Sequence, residues 1–455
     1  MKKLGFLSIF FVAAIAISLS LTGCGGGEEA CVNRAEEGVV YNFDQLFTDT
    51  VELTVWLDDE DYFNALKAAF EEANPDITLR FVEVGSVDVR QRLELYSGSR
   101  QAADVVVYPH DHIGAALQSG LLAAIEGNQA NDIRTRMIDS AWQTASACYD
   151  FSTNRIIDCA TPNDSGTLFG APLVGESVAL FYNKALLRQL TGSDTPPSTF
   201  EALLAQAELP AFETFLDGRP IVGLDVGNAY DMHFISTSFG FQLFGPDGQD
   251  PTRANLSSQN VVDALTFFNS EVRPALGNLP AGELSGDANR TLFESGEIPY
   301  IIDGPWSINR YLSADVDFGV TLIPTIRGAN PTSFSGVQLA SVYRQSQNPD
   351  AAFRLLQFMT SAEGLAILYR EKNVLPALKD VSVVEGVGDD ALLSGISAQL
   401  NFSQPMPIIP EMGFFWSNAG SMYSNAWNGT RTPVEAATIA QNGFTSQSGI
   451  PQSED

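Results

Sequence analysis

Trp416 stands in "PIIPEMGFFWSNAGSMY", where a proline-rich lead-in gives way to a helix-like run, and Trp306 follows Gly-Pro at the end of "IPYIID". A large ring at such a turn is either one more core side chain or a flat face offered to a ligand. Glu176 lies in "APLVGESVAL", a stretch otherwise apolar or small. An ionised carboxylate there is costly unless something pairs with it. Asp58, Asp59, Glu60 and Asp61 follow "VELTVWL" and open a helix, whose positive dipole end tolerates carboxylates as caps or as ligand groups. Rings and placed carboxylates do noncovalent chemistry: they stack on an apolar ligand face and hydrogen-bond its hydroxyls. "YPHDHIG" adds His110, Asp111 and His112. Two histidines at i, i+2 with no third nearby are weak evidence for a metal. The chain has no G-x-S-x-G elbow, phosphate loop or zinc-helix signature, and no cofactor is implied.

These residues need a scaffold, and the pattern supplies one. "VELTVWL" reads as a strand and "EDYFNALKAAFEEANPD" as a helix with Phe63, Leu66 and Phe70 on one face, ended by Pro75. "ITLRFVEV", a helix through "VRQRLELYSGS" and "ADVVVYP" repeat the cycle. Strands alternating with helices mark a parallel α/β sheet, with ligands in the crevice beyond the carboxyl ends of the strands. Leu57 and Tyr108 are such ends. Toward the C-terminus, Phe415, Ala419, Met422 and Ala426 recur at helical spacing as a packing stripe, with Trp416 and Gly420 on the neighbouring face.

The 455 residues suit two lobes better than one core. Their 25 basic and 55 acidic side chains leave a net charge of −30, which repels phosphate backbones and argues against nucleic acid as a partner. At the start, "MKK", the apolar "LGFLSIFFVAAIAISLS" and "LTGC" form a leader ending at Cys24. This is similar to a bacterial lipoprotein signal over 1–23, with Cys24 lipid-modified and 24–50 a flexible, Gly- and Glu-rich tether. Of the other cysteines, Cys148 and Cys159 flank "YDFSTNRIID", which is able to fold back as a hairpin. They are expected to pair outside the cytoplasm, leaving Cys31 over in the tether.

Several phrases in collinear order carry a family resemblance: "DVVVYPHDHIGAALQSGLLAAI", "APLVGESVALFYNKALL", "IPYIIDGPWSI", "FGVTLIPTIRG", "TSAEGLA", "LPALKDV" and "MPIIPEMGFFW". Together, over about residues 50–445, they resemble the family-1 solute-binding proteins of ABC importers, and within them the maltose and maltodextrin binders. The resemblance implies an α/β, two-lobed periplasmic-binding-protein fold of type II, with hinge crossovers and a ligand cleft between the lobes. One lobe is expected over 51–174 plus 337–390, the other over 175–336 plus 391–445, with 446–455 a polar tail. It further implies a monomeric, lipid-anchored, extracytoplasmic receptor that takes an oligosaccharide and passes it to permease subunits, with no bond made or broken.

Carried over residue by residue, Trp306 and Trp416 align with stacking tryptophans, Tyr230 with a third platform ring, and Asp111 and Glu176 with carboxylates that take sugar hydroxyls. The fit is looser at other positions. Tyr108 stands where the maltose binder has Trp, His112 where it has Arg, Asn228 where it has Glu, and Gly420 where it has Arg. Asp58 and Glu60 occupy a segment that in the family holds an acidic and a basic ligand residue. An insertion between Trp142 and Thr167 either rims the cleft or decorates the first lobe. Two other functions compete: a sugar receptor without a transport role, and an extracellular glycoside hydrolase using Asp111 and Glu176 as a carboxyl pair about 5–10 Å apart.

Overall fold

The computed structural model describes residues 47–157 and 166–453. Cys24, Cys31 and Cys159 lie outside these residues, as do the leader and most of the tether. Cys148 is disulfide-bonded. The hairpin expected beside it is present, with Tyr149 opposite Ile156 and Asp150 opposite Arg155. Among the described residues no helix is long and apolar enough to cross a membrane.

Two sheets organise the chain. The first is built from β1 (Val51–Leu57), β2 (Ile77–Glu83), β3 (Val105–Pro109), β4 (Ala171–Ser177), β9 (Ser333–Val342), β10 (Leu375–Pro376) and β11 (Ser403–Pro405), in the order β10-β4-β9-β3-β1-β2 with β11 on β9. The second holds β5 (Ala179–Asn183), β6 (Val222–Gly223), β7 (Tyr300–Asp303) and β8 (Phe318–Thr321), in the order β6-β7-β5-β8. The expected parallel sheet is realised in β2-β1-β3, where βαβ units supply it, with further parallel pairs at β9-β11 and, in the second sheet, β6-β7. Strands returning from the other lobe run the opposite way, so β9 is antiparallel to β3 and β4, and the sheet is mixed.

Local chemistry explains the elements around the cleft. Helix α1 (Glu60–Ala73) buries Tyr62, Phe63, Leu66 and Phe70, and Asp59 caps it by accepting a 2.8 Å hydrogen bond from the Tyr62 amide. It stops at Asn74, before Pro75. Helix α2 (Ala229–Ser238) starts behind Asn228, whose side chain accepts from the Tyr230 amide. Helices α3 (Gly286–Glu294) and α4 (Ala362–Lys372) pack on the second and first sheets respectively. Helix α5 (Met412–Trp427) buries the predicted stripe Phe415, Ala419, Met422 and Ala426. Helix α6 (Pro433–Ser448), opened by a Thr432–Glu435 capping box and closed by Gly449 at positive φ, runs past the expected end of helical structure. The tail after it is tied down: the Gln452 amide group hydrogen-bonds the Pro251 carbonyl and the Ala254 amide.

The chain crosses between the sheets at adjacent strands. Strand β4 ends at Ser177 and β5 begins at Ala179, while β9 runs alongside with Ser335 opposite Ser177 and Gly336 opposite Glu176. The Ser177 hydroxyl lies 2.7 Å from that of Ser333 and donates to the Phe334 carbonyl at 2.9 Å, which stitches the crossovers together. Gly336 is needed here: a Cβ at that position would lie 2.7 Å from the Glu176 carboxylate. Residues of the inserted segment pack on the first lobe. The Tyr149 hydroxyl donates to Leu117 O, and Arg344 donates to the Asn154 side chain. No described residue between Trp142 and Thr167 reaches the cleft lining.

Candidate functional site

A cavity of about 900 Å³ lies between the two sheets, where the crossovers form its floor. Asp58, Asp111, His112, Glu176, Asn228, Tyr230, Trp306 and Trp416, all singled out from sequence, line it. Glu60, exposed at the start of α1, is not among the lining residues.

Tyr108 is a correction. It is only 2% exposed, and its hydroxyl lies 3.0 Å from the Ser341 hydroxyl, inside the first lobe. Side chains alternate along a strand, so Val107 and Pro109 reach the cleft and Tyr108 faces away from it. The resemblance aligned the position but did not give the face. His110 is also occupied: its Nδ1 accepts from the Val337 amide and its Nε2 donates to the Met406 carbonyl, both within buried backbone.

The second lobe presents a row of rings. Tyr230 lies 6.1 Å from Trp306 and 6.4 Å from Trp416, centroid to centroid, at inclined angles. Trp306 remains 39% exposed at the cleft wall. Its Nε1 donates to Asp303 at 2.7 Å, and the ring lies across Gly304, where any Cβ would collide with it. Asp303 in turn accepts from Gly304 N and Tyr311 OH and forms a paired contact with Arg290 at 3.0 and 3.1 Å. The ring is therefore held by a fully satisfied buried carboxylate.

The facing side of the cleft presents polar groups. Asp111 accepts a 2.9 Å hydrogen bond from Trp416 Nε1, a contact that spans the cleft. Lys372, at the end of α4, reaches Asp58 at 2.7 Å. Glu176 is 8% exposed and accepts from Gln338 Nε2 at 2.9 Å. Burial pushes its carboxyl up to about 7, against the pull of Gln338 and Lys372. Tyr62 OH, His112 Nδ1 and Gln338 Oε1 are buried at this surface and have no hydrogen-bond partner in the protein.

Sequence reasoning missed Tyr62, Gln338, Lys372, Asp225, Asp231 and Arg290, all of which line the cavity. Tyr62 sits beside the apolar stripe of α1, where spacing alone marks a packing position, and the others carry no local signal. A second, shallower polar groove of about 450 Å³ continues past Trp416 along α5, lined by Gly227, Ser417, Gly420, Ser421, Ser424 and Asn425. It exists because of the small residues: a Cβ on Gly420 would lie 2.8 Å from the Gly227 carbonyl.

The arrangement has counterparts. The family model for bacterial extracellular solute-binding proteins matches residues 56–366. A galactooligosaccharide-binding protein of Bacillus subtilis is 26% identical over 447 residues, covering 96% of both chains. A maltooligosaccharide ABC transporter solute-binding lipoprotein of Streptococcus pneumoniae is 27% identical over 436 residues, covering 94% of this chain and 93% of the other. A crystal structure of a cyclo/maltodextrin-binding protein complexed with maltotetraose superposes with a TM-score of 0.68 at 26% identity, over 90% of this chain and 100% of that one.

Proposed function

The chain belongs to the bacterial extracellular solute-binding protein family, and from that premise we propose that it is the oligosaccharide receptor of an ABC importer. The observation that carries this reading is the pairing of surfaces across one cleft. The Trp306, Tyr230 and Trp416 rings face Asp58, Asp111, His112 and Glu176. A pyranose asks for both: rings for its C–H faces, and oriented acceptors for its hydroxyls. Asn228 adds an amide on the same wall. Acids outnumber the lining cations Lys372 and Arg290, both already paired, which disfavours an anion, and the ring platforms favour a maltodextrin-like or galactose-containing oligosaccharide over a compact cation.

Binding proceeds by stacking and hydrogen bonding. The lobes, 51–174 plus 337–390 and 175–336 plus 391–445, close about the β4/β5 and β9 crossovers. The closed, loaded form is the one that permease subunits distinguish from the open form. The protein acts as a monomer tethered through lipid-modified Cys24, in keeping with the "LTGC" motif and with a relative that is itself a lipoprotein.

The test is titration calorimetry of the soluble chain lacking residues 1–24 with maltose, maltotriose, maltotetraose and galactobiose, alongside chromatography of the sugar after long incubation. Saturable binding with the sugar recovered intact is expected. Shortened products would support a glycoside hydrolase instead, and a protein that ignores every sugar but binds a peptide or polyamine would overturn the reading.

A further inference from the structure

We propose that Asp231 is a specificity-determining residue of the cleft, taking a pair of sugar hydroxyls in a corner it shares with Asp225 and Arg290. This rests on the oligosaccharide reading above and goes beyond it, because neither the resemblance nor any sequence motif marks the position.

Asp231 is 6% exposed, lies in the first turn of α2 and lines the cavity. It is the buried carboxyl without a partner. Asp76 has Arg354, Asp111 has Trp416, Glu176 has Gln338 and Asp303 has Arg290, whereas among the described residues Asp231 makes no hydrogen bond and no ion pair. The cation in its surroundings is already committed: Arg290 holds Asp303 through two nitrogens and reaches Asp287 at 3.5 Å. Asp225, the other acid of this corner, is engaged by the Gly286 amide at 3.0 Å. Burial and the neighbouring Asp303 and Asp225 carboxyls hold Asp231 well above the usual carboxylate range.

A buried carboxyl with no protein partner is a penalty in the free protein. It is removed when a ligand brings matching groups. A carboxyl offers an in-plane pair of oxygens that meets two adjacent hydroxyls, accepting from both when ionised, or accepting from one and donating to the other when protonated. Such a pair is sensitive to the epimer presented, because turning one hydroxyl from equatorial to axial leaves one oxygen unmet. Sites that hydrogen-bond a substrate hydroxyl discriminate far more strongly than apolar ones.

Asp231→Asn and Asp231→Ala tested beside Trp416→Ala separate the alternatives, with calorimetry on maltotriose, maltose and the 4′-epimer of maltose and a thermal melt of each ligand-free protein. The expected result is that Asp231→Ala weakens the preferred sugar by about ten-fold or more and compresses the ranking among epimers. Asp231→Asn, which keeps the shape, retains part of the affinity. Both ligand-free variants melt at or above the wild-type temperature, since no protein contact is lost. A folded Asp231 variant with wild-type affinity and ranking, while Trp416→Ala is impaired, overturns the proposal and leaves the receptor reading standing. So does a ligand-free Asp231→Asn protein that melts lower with unchanged binding, which marks a structural carboxyl. A wild-type protein that binds no sugar overturns the receptor reading itself.

Discussion

Replacing Trp416 in two stages separates its ring from its N–H. In Trp416→Phe an aromatic face remains, but the 2.9 Å bond to Asp111 across the cleft is lost. A hydrogen bond to a charged partner contributes about 1.5–3 kcal/mol, and less where water replaces it. Asp111 regains water when the lobes part, so about 1 kcal/mol is expected, a loss of about five-fold in affinity. Trp416→Ala also removes the platform. Trp416 is half-buried and is wedged against Phe415 at 5.1 Å and Phe334 at 5.5 Å between centroids, so the face left for ligand is partial. Burying that remainder is worth roughly 1–2 kcal/mol, which brings the total to about 2–3 kcal/mol and the affinity loss to about 30–150-fold. Calorimetry with maltotriose reads both numbers, and small-angle scattering reads the mean lobe separation, which should increase in the free Phe variant because its cross-cleft tie is gone. Wild-type affinity in a folded Trp416→Ala protein, or equal losses in Phe and Ala, would refute the assignment of a ring contact.

Glu176 is expected to make the free protein's stability fall as pH rises. Its folded value of about 7 lies above its ordinary 4.5, so the contribution is fully present below pH 4.5 and is lost as pH climbs through 7. It amounts to on the order of 3 kcal/mol, read as the wild-type minus Glu176→Gln difference in chemical denaturation; parallel curves for the two proteins would contradict it. Tyr108→Phe should cost about 1 kcal/mol of stability through the lost Ser341 bond, with ligand affinity unchanged; an affinity loss would put this ring back in the cleft. Gly420→Ala should weaken longer oligosaccharides more than short ones in a length series, because its Cβ presses on the Gly227 carbonyl and narrows the groove past Trp416.

What could be read from sequence was what depends on neighbours along the chain. The α1 and α5 stripes, the acidic start of α1, the turn presenting Trp306 and the hairpin beside Cys148 are each set by residues a few positions apart. The separation of Phe415 from Trp416 followed from helical spacing alone, and burial agrees with it. The collinear phrases placed most of the cleft because each recognisable turn ends a strand, and strand ends are where such folds hold ligands. Only tertiary structure decided the rest. Strand alternation tells that Val107 and Tyr108 face opposite ways, but which way is inward depends on tertiary packing, which buries Tyr108 on the face it shares with Ser341 of the adjacent strand β9. Lys372 meets Asp58 across 314 positions, a pairing with no trace in local pattern. Asp231 carries no mark beyond being an acid in the first turn of a helix; what sets it apart is the commitment of Arg290 to Asp303, a fact about three elements brought together by folding.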